Sequence, residues 1–275
     1  MENRLPNLLI IGAMKSGTSS LHDYLNLHPD VFMSDPKEIH YYADEVNKVK
    51  SKEWYTSFFQ TEKKIAGTTP QSYTKCHNKY YKNIPQRIYE ETPDVKLIYI
   101  VRDPIKRYAS HILESYHCDN SEDVKYSQDS DNYLKTSMYA MQLKAYLEYF
   151  HMDQIHIISL EDLQRDRLVE LNKIFKFLGV NQLSDESLFN FKTNAAETKG
   201  VPTVIKRKFL IRVISKLSPI LAKKITGTLS EQFYSYLLKK PIISGEEKDS
   251  LKKKLKEDVM EFRELTRKPF ETWEI

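Results

Sequence analysis

Five consecutive residues, Leu97-Ile98-Tyr99-Ile100-Val101, form an unbroken apolar run with Lys96 before it and Arg102 after it. A run of that length without alternation fits a strand covered on both faces, as in the middle of a parallel sheet. Similar short runs occupy residues 8–12, 64–67 and 154–159. Between them lie amphipathic, helix-length patterns over 16–27, 83–91, 104–115, 133–150 and 168–178. Strands alternating with helices predict an α/β fold: three layers, with a central, mostly parallel sheet flanked by helices. We expect one domain over residues 1–275, with a core at 6–200 and a helical, basic C-terminal part at 201–275.

Composition narrows the class. The 275 residues are 40% hydrophobic and 29% charged, which excludes a disordered chain or a coiled coil. Forty-two Lys and Arg against 38 Asp and Glu leave +4, too mild for a nucleic-acid binder but compatible with an anionic ligand. Two cysteines, Cys76 and Cys118, are too few for a disulfide scaffold, so a reducing cytoplasm is expected. Residues 1–11 lack the longer apolar stretch and small-residue cleavage site of a signal peptide, so no targeting segment is expected there, and no stretch of 18 apolar residues predicts a membrane span.

Directly after the first strand comes Gly12-Ala13-Met14-Lys15-Ser16-Gly17-Thr18-Ser19-Ser20. A strand, a glycine-punctuated turn and a helix start together make an anion site, because the helix's first N–H groups face the ligand. The turn is P-loop-like in the Gly12-to-Gly17 spacing. It departs from the nucleotide-triphosphatase form, which would place lysine where Thr18 stands. Lys15 lies inside the turn instead, beside the first phosphate group rather than along a triphosphate tail. Hydroxyls of Ser16, Thr18, Ser19 and Ser20 supplement the donors, and no acidic residue stands ready to hold magnesium.

A second anchor follows the run at 96–101: Arg102-Asp103-Pro104-Ile105-Lys106-Arg107-Tyr108-Ala109-Ser110. Open parallel sheets bind ligands at the carboxyl ends of their strands, which is where Arg102 falls. Ser110, two helical turns on, can approach the same ligand, so Arg102 and Ser110 form a candidate clamp for a second phosphate. The plain alternative for Arg102 is an ion pair with Asp103 or a neighbouring helix.

These two elements resemble those of the sulfotransferases that use 3′-phosphoadenosine-5′-phosphosulfate (PAPS). Pro36-Lys37-Glu38-Ile39-His40-Tyr41-Tyr42 resembles the K-E-x-H-[FY]-[FY] stretch of the heparan-type branch, and Leu160-Glu161-Asp162-Leu163 and Phe175-Lys176-Phe177-Leu178-Gly179 are further matches. The similarity runs from about Pro6 to Gly200, with a weaker end that includes Trp273. The resemblance implies that Lys15 stabilises the leaving phosphate. Ser16, Gly17, Thr18 and Ser19 would cradle the 5′-phosphate, and Arg102 and Ser110 would clamp the 3′-phosphate. Glu38 is implied as catalytic base with His40 in support or in its place, and Lys199-Gly200 as a late element over the nucleotide. Adenosine 3′,5′-bisphosphate would be the product, and no metal is implied. Thr68 and Thr69 stand where relatives usually carry an acid and often a lysine that helps bind a glycan, so the acceptor pocket has diverged.

Read without the resemblance, Glu38 is a solvated charge, His40 a structural hydrogen-bonding group and Lys37 a surface residue; Tyr41, Tyr42, Trp54, Tyr55, Phe58 and Phe59 read as core. His22, His28 and His111 lack metal-ligand spacing. The acidic stretch 118–131 reads as an exposed loop or lid suited to a cationic acceptor. The stretch 199–224, with eight basic residues and no acidic one, reads as a solvated helix face, a face for an acidic cosubstrate, or a peripheral membrane contact. The expected activity is sulfuryl transfer to a hydroxyl or nitrogen of a saccharide or a small metabolite such as a saxitoxin-type alkaloid. The alternatives are a P-loop small-molecule kinase and a nucleotide-binding module without chemistry. Oligomeric state is not legible.

Overall fold

The computed structural model describes residues 3–43, 50–117, 131–191 and 243–275. Along the chain run β1 (Leu8–Gly12), α1 (Thr18–Asn26), β2 (Val31–Met33), α2 (Lys52–Thr56), β3 (Ile65–Thr68) and α3 (Ile84–Glu91). They are followed by β4 (Lys96–Val101), α4 (Pro104–His117), α5 (Asn132–Lys135), α6 (Tyr139–Leu147) and β5 (Ile155–Ser159). Then come α7 (Leu160–Arg165), α8 (Arg167–Leu178) and α9 (Gly245–Thr266). The five strands form one parallel sheet in the order β2-β3-β1-β4-β5.

Successive side chains of a strand point to opposite faces, and here both faces are covered. Leu9, Ile11, Leu97, Tyr99 and Val101 pack with Ile84 and Ile88 of α3, Ile105 and Ile112 of α4, and Leu255, Val259 and Phe262 of α9. On the other face Leu8, Ile10, Ile98 and Ile100 meet Leu21 and Leu25 of α1 and Leu171, Ile174, Phe175 and Leu178 of α8. This is the three-layer arrangement that the unbroken run at 97–101 predicts.

Three elements differ from the sequence expectation. β2 is a strand of three residues, too short to show a pattern, and it exists because Val31, Phe32 and Met33 pair in register with Ile65, Ala66 and Gly67. The helix expected over 133–150 is two helices. At the break the Ser137 hydroxyl donates to the Pro104 carbonyl (3.0 Å) and accepts from Arg107 Nε (2.6 Å), and Arg107 Nη2 donates to the Tyr133 carbonyl (2.6 Å). Arg107 is fully buried. Burial lowers its guanidinium to about 10, leaving it a cation at neutral pH.

The third difference is the start of α6, which is capped from α9, a helix within the helical C-terminal part expected from sequence. The N-cap residue of α6, Met138, provides no side-chain cap. Asp258 of α9 supplies it from afar, accepting the N–H groups of Ala140 (3.1 Å) and Met141 (2.9 Å). A carboxylate at a helix N-terminus satisfies orphan donors and meets the positive end of the dipole. Burial nonetheless raises the Asp258 carboxyl to about 6. The acidic stretch 118–131, apart from Asp131, lies outside the described residues, as does the basic stretch 199–224. No described helix is long and apolar enough to cross a membrane.

Candidate active site

The crossovers leaving β1 and β4 run to opposite sides of the sheet, so the switch point where parallel sheets bind ligands falls between these neighbours. The two segments expected to anchor phosphates both start there. The register of β1 on β4 slips between Ile10 and Gly12, and the Ala13 N–H donates to the Ile100 carbonyl (2.6 Å), turning the chain at the start of the glycine turn. Lys15 holds a positive φ of 70° and Gly17 one of 89°. Gly17 is the N-cap of α1 and no side chain caps this helix, which leaves its first N–H groups to a ligand. A Cβ on Gly17 would stand 2.6 Å from Leu160 Cδ1, so both its left-handed dihedral and the side chain of Leu160 on α7 favour glycine here.

The Lys15 ammonium lies 3.0 Å from Oε2 of Glu114 on α4. Glu114 follows Ser110 by one helical turn and shares its face. The lysine thus ties the first anchor to the helix of the second. Ser16 is fully buried, its hydroxyl beside that of Tyr139 without hydrogen-bond geometry.

Arg102 leaves the end of β4 with its backbone held by Tyr139, whose hydroxyl donates to the Arg102 carbonyl (2.8 Å). Among the described residues its guanidinium carries neither a hydrogen bond nor an ion pair, so the alternative reading of an Arg102–Asp103 pair fails. Asp103 is fully buried and instead caps α4, accepting from the N–H groups of Ile105 (2.9 Å) and Lys106 (3.1 Å). A helix start with an uncapped N-terminus, an ammonium and a separate unpaired guanidinium suits a ligand with two separate phosphates, as PAPS has.

Glu38 arrives from the loop after β2, and three side chains converge on it. Lys37 Nζ lies 2.9 Å from Oε1, Gln71 Nε2 donates to Oε1 at 2.8 Å, and His40 Nε2 lies 3.3 Å from Oε2. Two of these lead back to the phosphate turn: Lys37 Nζ also donates to the Ser19 hydroxyl (2.8 Å), and the Thr18 hydroxyl donates to Gln71 Oε1 (3.2 Å). Burial alone would raise the Glu38 carboxyl. The hydrogen bond from His40 and the charge and hydrogen bond of Lys37 outweigh it and hold the carboxyl below its ordinary value. Glu38 is therefore an anion at neutral pH, wired through two bridges to α1.

Lys37 is thus not the surface residue expected from sequence. Its neighbour Glu38 was the available signal, since a lysine beside a carboxylate that must stay charged has work to do. Gln71 and Glu114 were also missed; the spacing of Glu114 from Ser110 could have found it, whereas nothing in the sequence around Gln71 marks it. Thr68 and Thr69, which replace the charged pair, have structural partners here: the Thr68 hydroxyl and the Thr69 N–H donate to the Lys37 carbonyl (3.1 and 2.9 Å), and Thr69 Oγ1 lies 2.8 Å from His22 Nδ1. Tyr42, Tyr55 and Phe59 are core as expected, while Tyr41, Trp54 and Phe58 lie at its margin. Lys199 and Gly200 lie outside the described residues.

The fold is a parallel α/β sheet with an uncapped helix start, a lysine and an arginine at adjacent strand ends and a charged carboxylate beside the first. The sulfotransferase domain family matches residues 5–232, and this chain belongs to it. The chain is similar to heparan sulfate glucosamine 3-O-sulfotransferase 5 of Mus musculus, 32% identical over 194 residues that span 64% of this chain and 54% of the relative. It is also similar to heparan sulfate glucosamine 3-O-sulfotransferase 3B1 of Mus musculus, 29% identical over 217 residues, 74% of this chain and 52% of the relative. The chain therefore spans about half the length of these curated relatives. Among solved structures, the sulfotransferase from Alicyclobacillus acidocaldarius shares the fold with a TM-score of 0.68 at 20% identity, covering 99% of this chain and all of that one.

Proposed function

We propose that this protein is a PAPS-dependent sulfotransferase that transfers a sulfuryl group to a hydroxyl or nitrogen of an acceptor, with a saccharide hydroxyl as the leading candidate. The observation that carries the reading is Glu38: an ionised carboxylate tied through Gln71 to Thr18 and through Lys37 to Ser19 of the phosphate turn. A kinase of the P-loop type is disfavoured by Thr18 standing where its lysine belongs, and a module without chemistry has no use for a charged base held in this way.

In the proposed reaction the acceptor oxygen bonds to sulfur as the bond from sulfur to the 5′-phosphate oxygen breaks. Glu38 takes the acceptor proton, and adenosine 3′,5′-bisphosphate leaves with the electron pair. Lys15, with the N–H groups that open α1, faces the charge growing on the departing phosphate, where a fixed cation stabilises the transition state more than the ground state. Arg102 and Ser110 grip the 3′-phosphate and fix the line of attack. His40 orients Glu38, and Lys199 with Gly200 would close over the nucleotide. Residues 1–275 act as one unit in this reading, in the cytoplasm. The relatives are named for a saccharide acceptor, which supports a saccharide over the small cationic alkaloid suggested by the acidic stretch at 118–131.

The test is calorimetric binding of adenosine 3′,5′-bisphosphate against ATP with magnesium, for the wild type and Arg102→Ala, followed by turnover of PAPS with heparan-type oligosaccharides. Bisphosphate binding that collapses in the variant, with sulfated product, is expected. Preference for ATP, or indifference to Arg102, overturns it.

A further inference from the structure

The residues that follow α9 fold back over the molecule and end on the turn that carries Arg102. Arg263 holds this stretch by its carbonyls, Nε donating to Pro269 (2.7 Å) and Nη2 to Ile275 (2.8 Å). Trp273 is buried, stacked on Phe270 with ring centres 4.3 Å apart, and lies 5.7 Å from the ring of Tyr139. Tyr139 is the residue whose hydroxyl receives the Arg102 N–H (3.4 Å) and donates to the Arg102 carbonyl. The next residue completes the grip: the backbone N–H of Glu274 donates to Oδ2 of Asp103 at 2.8 Å. Asp103 is held a third time through its own N–H, which donates to Glu161 Oε1 (3.0 Å).

Arg102 therefore sits on a peptide braced from both sides, by Tyr139 backed by Trp273 and by Asp103 bound to Glu274. A guanidinium with no side-chain partner takes its direction from its backbone, and preorganisation of that kind lowers the entropic cost of gripping a phosphate. We propose that Trp273 and Glu274 are positioning residues for Arg102, and that they set how strongly this protein prefers a nucleotide bearing a 3′-phosphate over one without it. This rests on reading Arg102 as the 3′-phosphate clamp.

The contact from Glu274 is made by a backbone N–H, so Glu274→Pro deletes it directly. Lys248→Ala is the control, since it removes the ion pair between Lys248 and the Glu274 side chain and leaves the Glu274 backbone N–H in place. Binding of two probes is measured in the full chain: adenosine 3′,5′-bisphosphate and adenosine 5′-monophosphate. Glu274→Pro should weaken the bisphosphate about tenfold, the scale of one hydrogen bond to a charged group, and leave the monophosphate unchanged; Lys248→Ala should change neither. Equal weakening of both probes, or of neither, overturns the inference. Should Glu274→Pro fail to fold, Asp103→Asn is read by the same criterion, because its amide can keep the α4 cap only by presenting an N–H₂ to the Glu274 N–H. Arg102→Ala separates the two levels. If it keeps the preference for the 3′-phosphate, the reading of Arg102 is wrong and the inference falls with it. If it loses the preference while Glu274→Pro and Asp103→Asn both retain it, only the positioning role is wrong.

Discussion

Lys15 Nζ lies 3.0 Å from Glu114 Oε2, each side chain about one-fifth exposed. The lysine proposed to face the leaving phosphate is engaged by a carboxylate of α4. A phosphate arriving at the turn must compete with that carboxylate. Glu114→Gln should therefore tighten binding of adenosine 3′,5′-bisphosphate about fivefold, the equivalent of about 1 kcal/mol for a partly exposed pair. Calorimetry checks this, and weaker binding would show that Glu114 serves the nucleotide site rather than opposing it.

Glu38→Gln removes the proposed base and keeps the size of the side chain. Turnover should fall by about 10²–10⁴-fold, the usual contribution of a positioned base, with bisphosphate affinity unchanged. A variant that binds normally and still turns over at the wild-type rate would dismiss Glu38 from the chemistry.

The pH profile follows from the lowered Glu38 carboxyl. The active form is the anion, so activity is present above the carboxyl's pKa and is lost as pH falls through it. The acid limb of kcat/KM should lie below 4.5, the ordinary glutamate value. His40→Ala and Lys37→Met each remove an influence that opposes burial, and each should move that limb upward. A limb that stays in place in both would separate the titration from Glu38.

Gly17→Ala places a methyl group against Leu160 and forces a left-handed dihedral on a residue with a Cβ. The dihedral alone costs about 1–2 kcal/mol. Thermal unfolding should register that loss, and bisphosphate binding should drop with it. Adding Leu160→Ala should restore only part of the stability, because it relieves the contact and not the backbone; full recovery would mean that the dihedral is unimportant.

Asp258 supplies a different pH dependence. Its carboxyl is raised from 3.8 to about 6, so over that interval the unfolded chain loses its proton while the folded chain keeps it. The contribution to stability is present below 3.8 and declines as pH rises through about 6, by about 3 kcal/mol at most. Urea unfolding between those pH values should show the decline, and Asp258→Asn should flatten it. An unchanged slope in the variant would assign the decline to other groups.

Most of the fold was legible in residues whose role is local. The strand at 97–101 is apolar throughout because both its faces are covered, and α8 ends at Gly179, where a positive φ favours glycine. β2 was not legible, because three residues become a strand only when Ile65–Thr68 lies beside them. The break at 136–138 was hidden for a similar reason: it is held by Arg107, some thirty residues earlier in sequence. The helix α9 agrees with the helical C-terminal part expected from sequence, and its apolar residues at helical spacing, Leu251, Leu255, Val259 and Phe262, are buried; its packing against α6 was not legible, because Asp258 reaches Ala140 and Met141 across more than a hundred residues. At the site, Lys15 and Arg102 could be named from their places after two strands, and Glu38 only through the resemblance to the sulfotransferases. The side chains that connect them, Gln71, Lys37 and Glu114, meet only once the strand ends are brought side by side.

That both proposed phosphate anchors spring from adjacent strands would give the protein a ruler. The separation of β1 and β4 is fixed by backbone hydrogen bonding at about 4.8 Å, and no side-chain substitution stretches it. In the proposed function the span of nucleotide that fits would thereby be written into the sheet, whereas Glu38 and Gln71, the proposed acceptor side, hang from the loops after β2 and β3. If the proposal holds, redesign of acceptor choice can be confined to those two loops while the spacing that receives the nucleotide stays as the sheet sets it.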